Sequence, residues 1–314
     1  MKVDPQVQSI LDAVAAMKLP APDTTPVAEA RANYARSRAG FLAKPEAVAS
    51  AEDRSIPGPG GAIPIRIYRP AGCQPGERLP AFVFFHGGGW VFGDLDSHDA
   101  LCRSLCNAAR CAVVAVDYRL APEHKFPAAV DDTLAAIRHI AGRGDNLGID
   151  GSRIAAGGDS AGGNLVAAAA LAFRDQGGPG MALQVLLYAV TDLTLESPGY
   201  QTLGQGYMLT LDRMRFFAGR YLNGPGDALD WRASPLKARD LAGLPPALVL
   251  TASHDPLVEE AKAYADRLAA AGVDVTYRMY PGMIHGFMTM AGAIDMGRKA
   301  IDETAASIRT ALRT

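Results

Sequence analysis

The segment Gly157-Gly158-Asp159-Ser160-Ala161-Gly162-Gly163 follows the short apolar run 154–156 and precedes the alanine-rich stretch 164–173. It contains the pattern Gly-x-Ser-x-Gly, which places a serine on a sharp turn between a buried strand and a helix. Such a turn needs small neighbours, because bulkier side chains would clash. The start of the following helix also favours negative charge beside the serine. The pattern predicts a nucleophile elbow with Ser160 as the nucleophile, and a glycine-rich turn without chemistry is the alternative.

Short apolar runs and helical stretches alternate on both sides of this turn. The strand-like runs cover residues 81–85, 111–116, 154–156, 185–188, 247–250 and 273–277, and the helical stretches cover 96–109, 127–142, 161–175, 258–271 and 294–312. Short continuous apolar runs are typical of strands that are buried on both faces of a parallel sheet. One earlier run, with Ile63, Ile65 and Ile67 alternating with other residues, indicates a half-buried strand. The pattern predicts an α/β fold with a mostly parallel central sheet flanked by helices.

Two pieces of the chain break this alternation. Residues 1–45 contain two helical stretches, at about 7–17 and 27–41, that do not lead into a strand–helix–strand unit. Almost sixty residues separate the strand ending near Tyr188 from the strand that starts near Pro246, which is too long for a simple crossover. We therefore expect N-terminal cap helices at 1–45 and a cap insertion at 191–243. The core of the α/β fold would then comprise 46–190 and 244–314.

A glycine triplet follows the predicted strand at 81–85, in the segment His86-Gly87-Gly88-Gly89-Trp90. A serine that attacks a carbonyl needs N–H donors aimed at the developing oxyanion. Successive glycines let the backbone approach a ligand closely, and Ala161, directly after the candidate nucleophile, would supply a further N–H group. A flexible turn is the alternative for the triplet on its own. Its combination with the elbow favours an oxyanion loop.

The combination His-Gly-Gly-Gly-Trp at 86–90 and Gly-Asp-Ser-Ala-Gly-Gly at 158–163 resembles the hormone-sensitive-lipase-like carboxylesterases. These are the bacterial and archaeal family IV enzymes of the α/β-hydrolase fold. Two further segments match, Tyr-Arg-Leu-Ala-Pro-Glu at 118–123 and Phe-Pro-Ala at 126–128. The resemblance covers about 60–290 and implies a helical cap over the active site, with Gly88 and Gly89 joining Ala161 as oxyanion donors. It also implies a preference for esters of short to medium acyl chains, and homodimers occur among relatives.

The candidate acid and base come from the chain order Ser, Asp or Glu, His that characterises this fold. Only His254 and His285 follow Ser160. We expect His285 to be the base, in a mobile loop after the last predicted strand. We expect Asp255 to be the acid, at the carboxyl end of the strand before it. His254 is the competing base.

The resemblance supports this assignment, because Asp-Pro-Leu at 255–257 and His-Gly-Phe at 285–287 match the family's patterns. The family usually has Asp four residues after the catalytic acid, where this chain has Glu259.

Several functions remain compatible with these residues. The main prediction is a serine carboxylesterase, and an amidase, a peptidase or a hydrolase of a specialised ester would use the same Ser160, Asp255 and His285. A non-catalytic ligand receptor on the same fold is a third possibility, disfavoured because His285 is present. The cap is expected to set substrate choice. The candidates for an acyl pocket are Phe41, Met208, Leu209, Phe216 and Phe217.

Composition excludes other classes of function. The chain has 314 residues, 49% of them hydrophobic, with 31 Lys and Arg against 33 Asp and Glu. This balance is unlike the basic surface of a nucleic-acid-binding protein. Four cysteines (Cys73, Cys102, Cys106 and Cys111) lack zinc-site spacing. The chemistry predicted for Ser160, Asp255 and His285 implies neither a metal nor an organic cofactor. No apolar run is long enough for a membrane span and no signal peptide is evident, so we expect a cytoplasmic protein.

Overall fold

A computed structural model of the chain describes residues 2–20, 24–74 and 76–314. Within these ranges eight strands form a single sheet in the order β1-β2-β4-β3-β5-β6-β7-β8. The strands are β1 (Ser50–Gly58), β2 (Gly61–Arg69), β3 (Leu79–Phe85), β4 (Ala112–Val116), β5 (Ile149–Asp159), β6 (Gln184–Leu187), β7 (Ala247–His254) and β8 (Val275–Ile284). Strand β2 runs antiparallel to β1 and to β4, and all other neighbours are parallel.

Helices cover the sheet and extend into the two irregular pieces. They are α1 (Pro5–Ala16), α2 (Val27–Arg38), α3 (Asp99–Ala109), α4 (Ala128–Arg143), α5 (Ala161–Gln176), α6 (Gly199–Leu203), α7 (Leu211–Tyr221), α8 (Val258–Ala270) and α9 (Asp295–Leu312). None of the helices in the described part of the chain is long and apolar enough to cross a membrane.

The predicted mostly parallel sheet is confirmed, with two differences in its strands. Strand β1 was not predicted, because Ile56 is its only buried residue and the rest lacks a clear apolar alternation. Strand β8 begins two residues later than predicted and runs on to Ile284. His285 therefore lies in the short turn 285–286, directly after this strand.

The centre of the sheet is its most buried part. Every residue of β3 and of β4 is buried, in keeping with strands that are covered by helices on both faces. Strand β3 pairs with β4 on one side and with β5 on the other, so that Phe85 lies beside Gly158 in the register. This pairing brings the glycine-rich loop after β3 next to the turn after β5.

Hydrogen bonds attach the N-terminal helices to the rest of the molecule. Arg31 on α2 donates from Nε to the Val91 carbonyl at 2.8 Å and from Nη2 to the Ala121 carbonyl at 3.0 Å. It also forms an ion pair with Glu123 at 2.7 Å. In front of α1, the Asp4 N–H donates to the Gly282 carbonyl of β8 at 3.1 Å. Both helices are thus tied to loops or strands at the carboxyl edge of the sheet.

Candidate active site

Ser160 occupies a strained turn between β5 and α5. Its backbone has φ 55° and ψ −117°, a positive φ that non-glycine residues seldom adopt. A Cβ atom on Gly158 or on Gly162 would collide with the backbone carbonyl oxygen of Phe85. The small residues of the motif are therefore required by the close approach of this turn to β3.

The three residues predicted as nucleophile, base and acid lie in direct contact. His285 Nε2 lies 2.9 Å from Ser160 Oγ, and His285 Nδ1 lies 2.7 Å from Asp255 Oδ2. The second carboxylate oxygen of Asp255 accepts the Leu257 N–H at 3.0 Å. Ser160, Asp255 and His285 are 7%, 1% and 6% exposed, so the contacts are largely shielded from water. Each residue follows the carboxyl end of a parallel strand, β5, β7 or β8.

Of the two candidate histidines, it is His285 whose ring contacts Ser160. In its turn after β8, His285 is buried and its ring packs edge-on against Tyr188 at 5.1 Å between ring centroids. His254 is the last residue of β7. Its Nδ1 lies 3.0 Å from Ser253 Oγ and its ring packs against Tyr207.

The glycine loop after β3 faces the same space as Ser160. Gly88 and Gly89 both have positive φ, at 117° and 62°, and both line the cavity that contains Ser160. The Phe217 ring of α7 lies directly over Gly89, in the position that a Cβ atom would take. Ala161, the third predicted oxyanion donor, is the first residue of α5 and is fully buried.

A buried carboxylate holds this loop against the elbow, and it was missed in the sequence. Asp159 Oδ1 accepts the Gly87 N–H at 2.7 Å, and His98 Nε2 lies 3.2 Å from the same oxygen. Burial opposes ionisation of Asp159, but the nearby His98 and the Gly87 N–H hold the pKa of its carboxyl below the ordinary value. One feature of the sequence could have pointed to Asp159: it is the charged residue next to Ser160 in a segment whose other residues are all small.

A second buried acid, Glu260, lies next to the position at which this chain departs from the family's pattern. Glu259, at the position where the resembled family usually has Asp, is exposed to solvent. Its neighbour Glu260 is buried, and Glu260 Oε1 accepts the N–H groups of Thr191 and Asp192 at 2.8 and 3.2 Å. Burial raises the pKa of Glu260 to about 8, although these two N–H groups act in the opposite direction.

The space at Ser160 is narrow and adjoins a larger cavity of about 530 Å³. Residues of α2 and of the 191–243 segment line both. Of the five acyl-pocket candidates, Met208, Leu209 and Phe217 line the space at Ser160, and Met208 and Phe216 line the larger cavity. Phe41 lines neither and packs, partly buried, against the apolar cluster that also contains Phe287 and Met290.

Within residues 2–20, 24–74 and 76–314, no group of three or more His, Cys, Asp or Glu side chains is arranged to hold a metal ion. All four cysteines are free thiols, and three of them are buried.

Comparison with known proteins agrees with the fold. A family model described as the α/β-hydrolase fold matches residues 82–289. The chain belongs to this family, and the predicted resemblance to the hormone-sensitive-lipase-like enzymes is confirmed.

Individual relatives are similar over most of the chain. Carboxylic ester hydrolase LipN of Mycobacterium tuberculosis is 47% identical over 76% of this chain, which spans 64% of that relative's length. Carboxylesterase NlhH of the same organism is 38% identical over 99% of this chain and 96% of its own. The crystal structure of an α/β-hydrolase enzyme from the metagenome of Lake Arreo, Spain, superposes with a TM-score of 0.95. It is 42% identical, with 99% of each chain covered.

Proposed function

We propose that the protein is a carboxylic ester hydrolase that works through an acyl-enzyme on Ser160. The observation that carries this proposal is the continuous line of contacts from Asp255 through His285 to Ser160, at 2.7 and 2.9 Å. Nucleophile, base and orienting acid must meet within hydrogen-bond distance for this chemistry. The names of LipN and NlhH support the ester as the substrate class.

In the first half of the reaction, Ser160 Oγ attacks the ester carbonyl carbon while His285 Nε2 takes the hydroxyl proton. The tetrahedral intermediate collapses, and the imidazolium returns the proton to the leaving alkoxide, which departs as the alcohol. Water then attacks the acyl group, again with His285 as the base, and the carboxylic acid is released. Asp255 stays ionised throughout, fixes the tautomer of His285 and stabilises the imidazolium.

The backbone N–H groups of Gly88, Gly89 and Ala161 are the proposed donors to the oxyanion. Each such donor is typically worth about 2.7–4 kcal/mol in the transition state. Two observations support this assignment. The two glycines border the cavity beside Ser160, and the Gly87 N–H bond to Asp159 fixes the start of their loop.

We infer that residues 1–45 and 191–243 act as a cap over the core formed by 46–190 and 244–314. Tyr34 and Arg38 of α2 line the space at Ser160 together with Met208 and Leu209 of the insertion and Phe217 of α7. Because this space is narrow, short to medium acyl chains are the expected substrates.

The test is hydrolysis of p-nitrophenyl esters from acetate to palmitate, measured beside the Ser160→Ala variant. We expect the rate to peak at short chains and to fall about 10³-fold or more in the variant, since removal of the nucleophile leaves only binding and oxyanion stabilisation. A matched p-nitroanilide amide separates an esterase from an amidase. Ester turnover that survives in Ser160→Ala, or amide turnover faster than ester turnover, would contradict the proposal.

A further inference from the structure

Two arginines border both the narrow space at Ser160 and the larger cavity beside it. Arg38 is the last residue of α2 and Arg213 belongs to α7, so each comes from one of the two irregular pieces of the chain. A Cβ atom built on Gly286, the residue after His285, would stand 3.2 Å from Arg38 Nη1. The Arg38 guanidinium therefore lies next to the proposed catalytic base.

Neither guanidinium is neutralised by a carboxylate of the described chain. Arg213 Nη1 donates to the Met208 carbonyl oxygen at 3.0 Å. Arg38 Nη1 donates to Thr289 Oγ1 at 3.2 Å, and its guanidinium lies 4.6 Å from the centre of the Tyr34 ring. These partners are uncharged, whereas Arg31 and Arg119, for comparison, form ion pairs with Glu123 and Asp132.

The two carboxylates that line these spaces are engaged elsewhere. Asp159 accepts the Gly87 N–H and lies 3.2 Å from His98. Asp212, at the larger cavity, forms an ion pair with Arg215 at 2.9 Å. The side of the site that Arg38 and Arg213 border therefore carries excess positive charge.

Holding these two cations close together is unfavourable in the absence of an anion. Burial lowers the pKa of Arg213, and the neighbouring Arg38 charge acts in the same direction. An arginine nevertheless keeps its proton at neutral pH. A carboxylate placed between the guanidinium groups would relieve the repulsion, and its two oxygens match the geometry of their N–H donors.

We propose that the preferred substrates are esters that carry a carboxylate group, which Arg38 and Arg213 bind while Ser160 attacks the ester carbonyl. This inference rests on the proposed function, because it assigns the substrate class of the same site. The anion is left unchanged by the reaction. Its role is to orient the ester, so the two arginines are specificity-determining residues.

The test compares pairs of esters that differ only in charge. In the first pair, monoethyl glutarate is compared with the ethyl ester in which an isopropyl group replaces the free carboxylate. In the second pair, the carboxylate lies on the alcohol part of the ester. The acetyl ester of a hydroxy acid is compared with the acetyl ester in which an isopropyl group replaces that carboxylate. We expect kcat/KM for the anionic member of at least one pair to exceed that of its neutral counterpart about ten- to hundredfold, the usual effect of a charge-assisted hydrogen bond.

Variants of Arg213 separate charge recognition from a structural role. Arg213→Met is expected to abolish most of the preference by raising KM for the anionic ester, and Arg213→Lys is expected to restore part of it. Arg220→Met is the matched control, because Arg220 lies on the same helix, stacks on Phe216 and lines neither space. It should leave the preference unchanged, and thermal melts check that each variant is folded.

The outcomes distinguish this inference from the proposed function. Turnover of both esters in each pair at equal efficiency, dependent on Ser160, would overturn the anion site and leave the esterase proposal standing. A preference that persists in Arg213→Met would also overturn it. Turnover that survives in Ser160→Ala would instead overturn the proposed function itself.

Discussion

At the scale of single residues, the contacts of Asp255 explain how one carboxylate would set the tautomer of the proposed base, His285. Leu257 N–H donates to Asp255 Oδ1, which leaves Oδ2 to accept from His285 Nδ1. With the proton held on Nδ1, the lone pair of Nε2 faces the Ser160 hydroxyl. In the proposed mechanism, Asp255 therefore acts on Ser160 only through the tautomer and charge of His285.

Asp255→Asn is expected to lower kcat about 10²- to 10⁴-fold for a short p-nitrophenyl ester. The Leu257 N–H would keep the amide oxygen of the new side chain, so its NH₂ group would face His285 Nδ1 and favour the wrong tautomer. Asp266→Asn is the matched control, because Asp266 is exposed and pairs only with Lys262 on the same helix. An Asp255→Asn enzyme with kcat close to that of the wild type would contradict the assignment.

The sequence predicted Ser160, Asp255 and His285 because each lies in a short motif that also marks its place after a strand. It could not predict which of Glu259 and Glu260 is buried, since both lie in the first turn of α8. Which of the two side chains faces the interior depends on how α8 is rotated about its axis against its neighbours, and the local sequence does not determine this rotation. Asp159 was missed for a similar reason, because its partners Gly87 and His98 are distant in sequence.

At the scale of elements, the elbow depends on how closely α5 approaches β3. The first turn of α5 packs so near the end of β3 that Gly162 has no space for a side chain beside the Phe85 carbonyl. Because β3 is fully buried, its backbone has little freedom to move away.

Gly162→Ala is therefore expected to destabilise the protein by about 1–3 kcal/mol, as overpacking usually does, and to lower esterase activity by displacing Ser160. Gly142→Ala is the control. Apart from its chain neighbours and its own helix backbone, no described atom lies within 4 Å of its Cβ position in α4, and an alanine in a helix should stabilise the fold by up to about 1 kcal/mol. Thermal melts and kcat/KM measure both effects. Equal stability of the two variants would show that the turn at Ser160 can accommodate a side chain at position 162, which would contradict the predicted clash with the Phe85 carbonyl.

Among the elements, the buried parallel strands were predictable and the edge strands were less so. A run such as 81–85 is apolar throughout, whereas β1 pairs only with β2 at the edge of the sheet and buries a single residue. The extension of β8 to Ile284 was hidden by Pro281 and Gly282, which are typical of turns. The predicted loop before His285 is therefore shorter in the structure, because β8 continues up to Ile284.

At the scale of the whole molecule, Glu260 links the segment 191–243 to α8. Its carboxylate lies on α8, after Asp255, and accepts the first two N–H groups of the 191–243 segment. Since the pKa of Glu260 is about 8 in the folded protein, against an ordinary value of 4.5, the folded state binds this proton more tightly than the unfolded state. This contribution to stability is complete below pH 4.5 and is lost as the pH rises towards 8.

Glu260→Gln is expected to remove this pH dependence, because the amide resembles the protonated acid and does not titrate. The free energy of unfolding of the variant, relative to wild type, should rise between pH 5 and pH 8, by up to about 1.4 kcal/mol per pH unit. Denaturant unfolding at several pH values measures the difference, with Glu259→Gln as the exposed neighbouring control. A difference that is constant across this range would contradict a raised pKa at Glu260.

The central claim, that Ser160 is the nucleophile of an ester hydrolase, is tested most directly by covalent labelling. A dialkyl p-nitrophenyl phosphate transfers its phosphoryl group to an activated serine and leaves a stable adduct, which peptide mass spectrometry locates. We expect a single dialkylphosphoryl group per chain, on Ser160, with ester hydrolysis lost in proportion to the label and no adduct in Ser160→Ala. Labelling of a different residue, or full hydrolysis of esters by a chain labelled at Ser160, would contradict it.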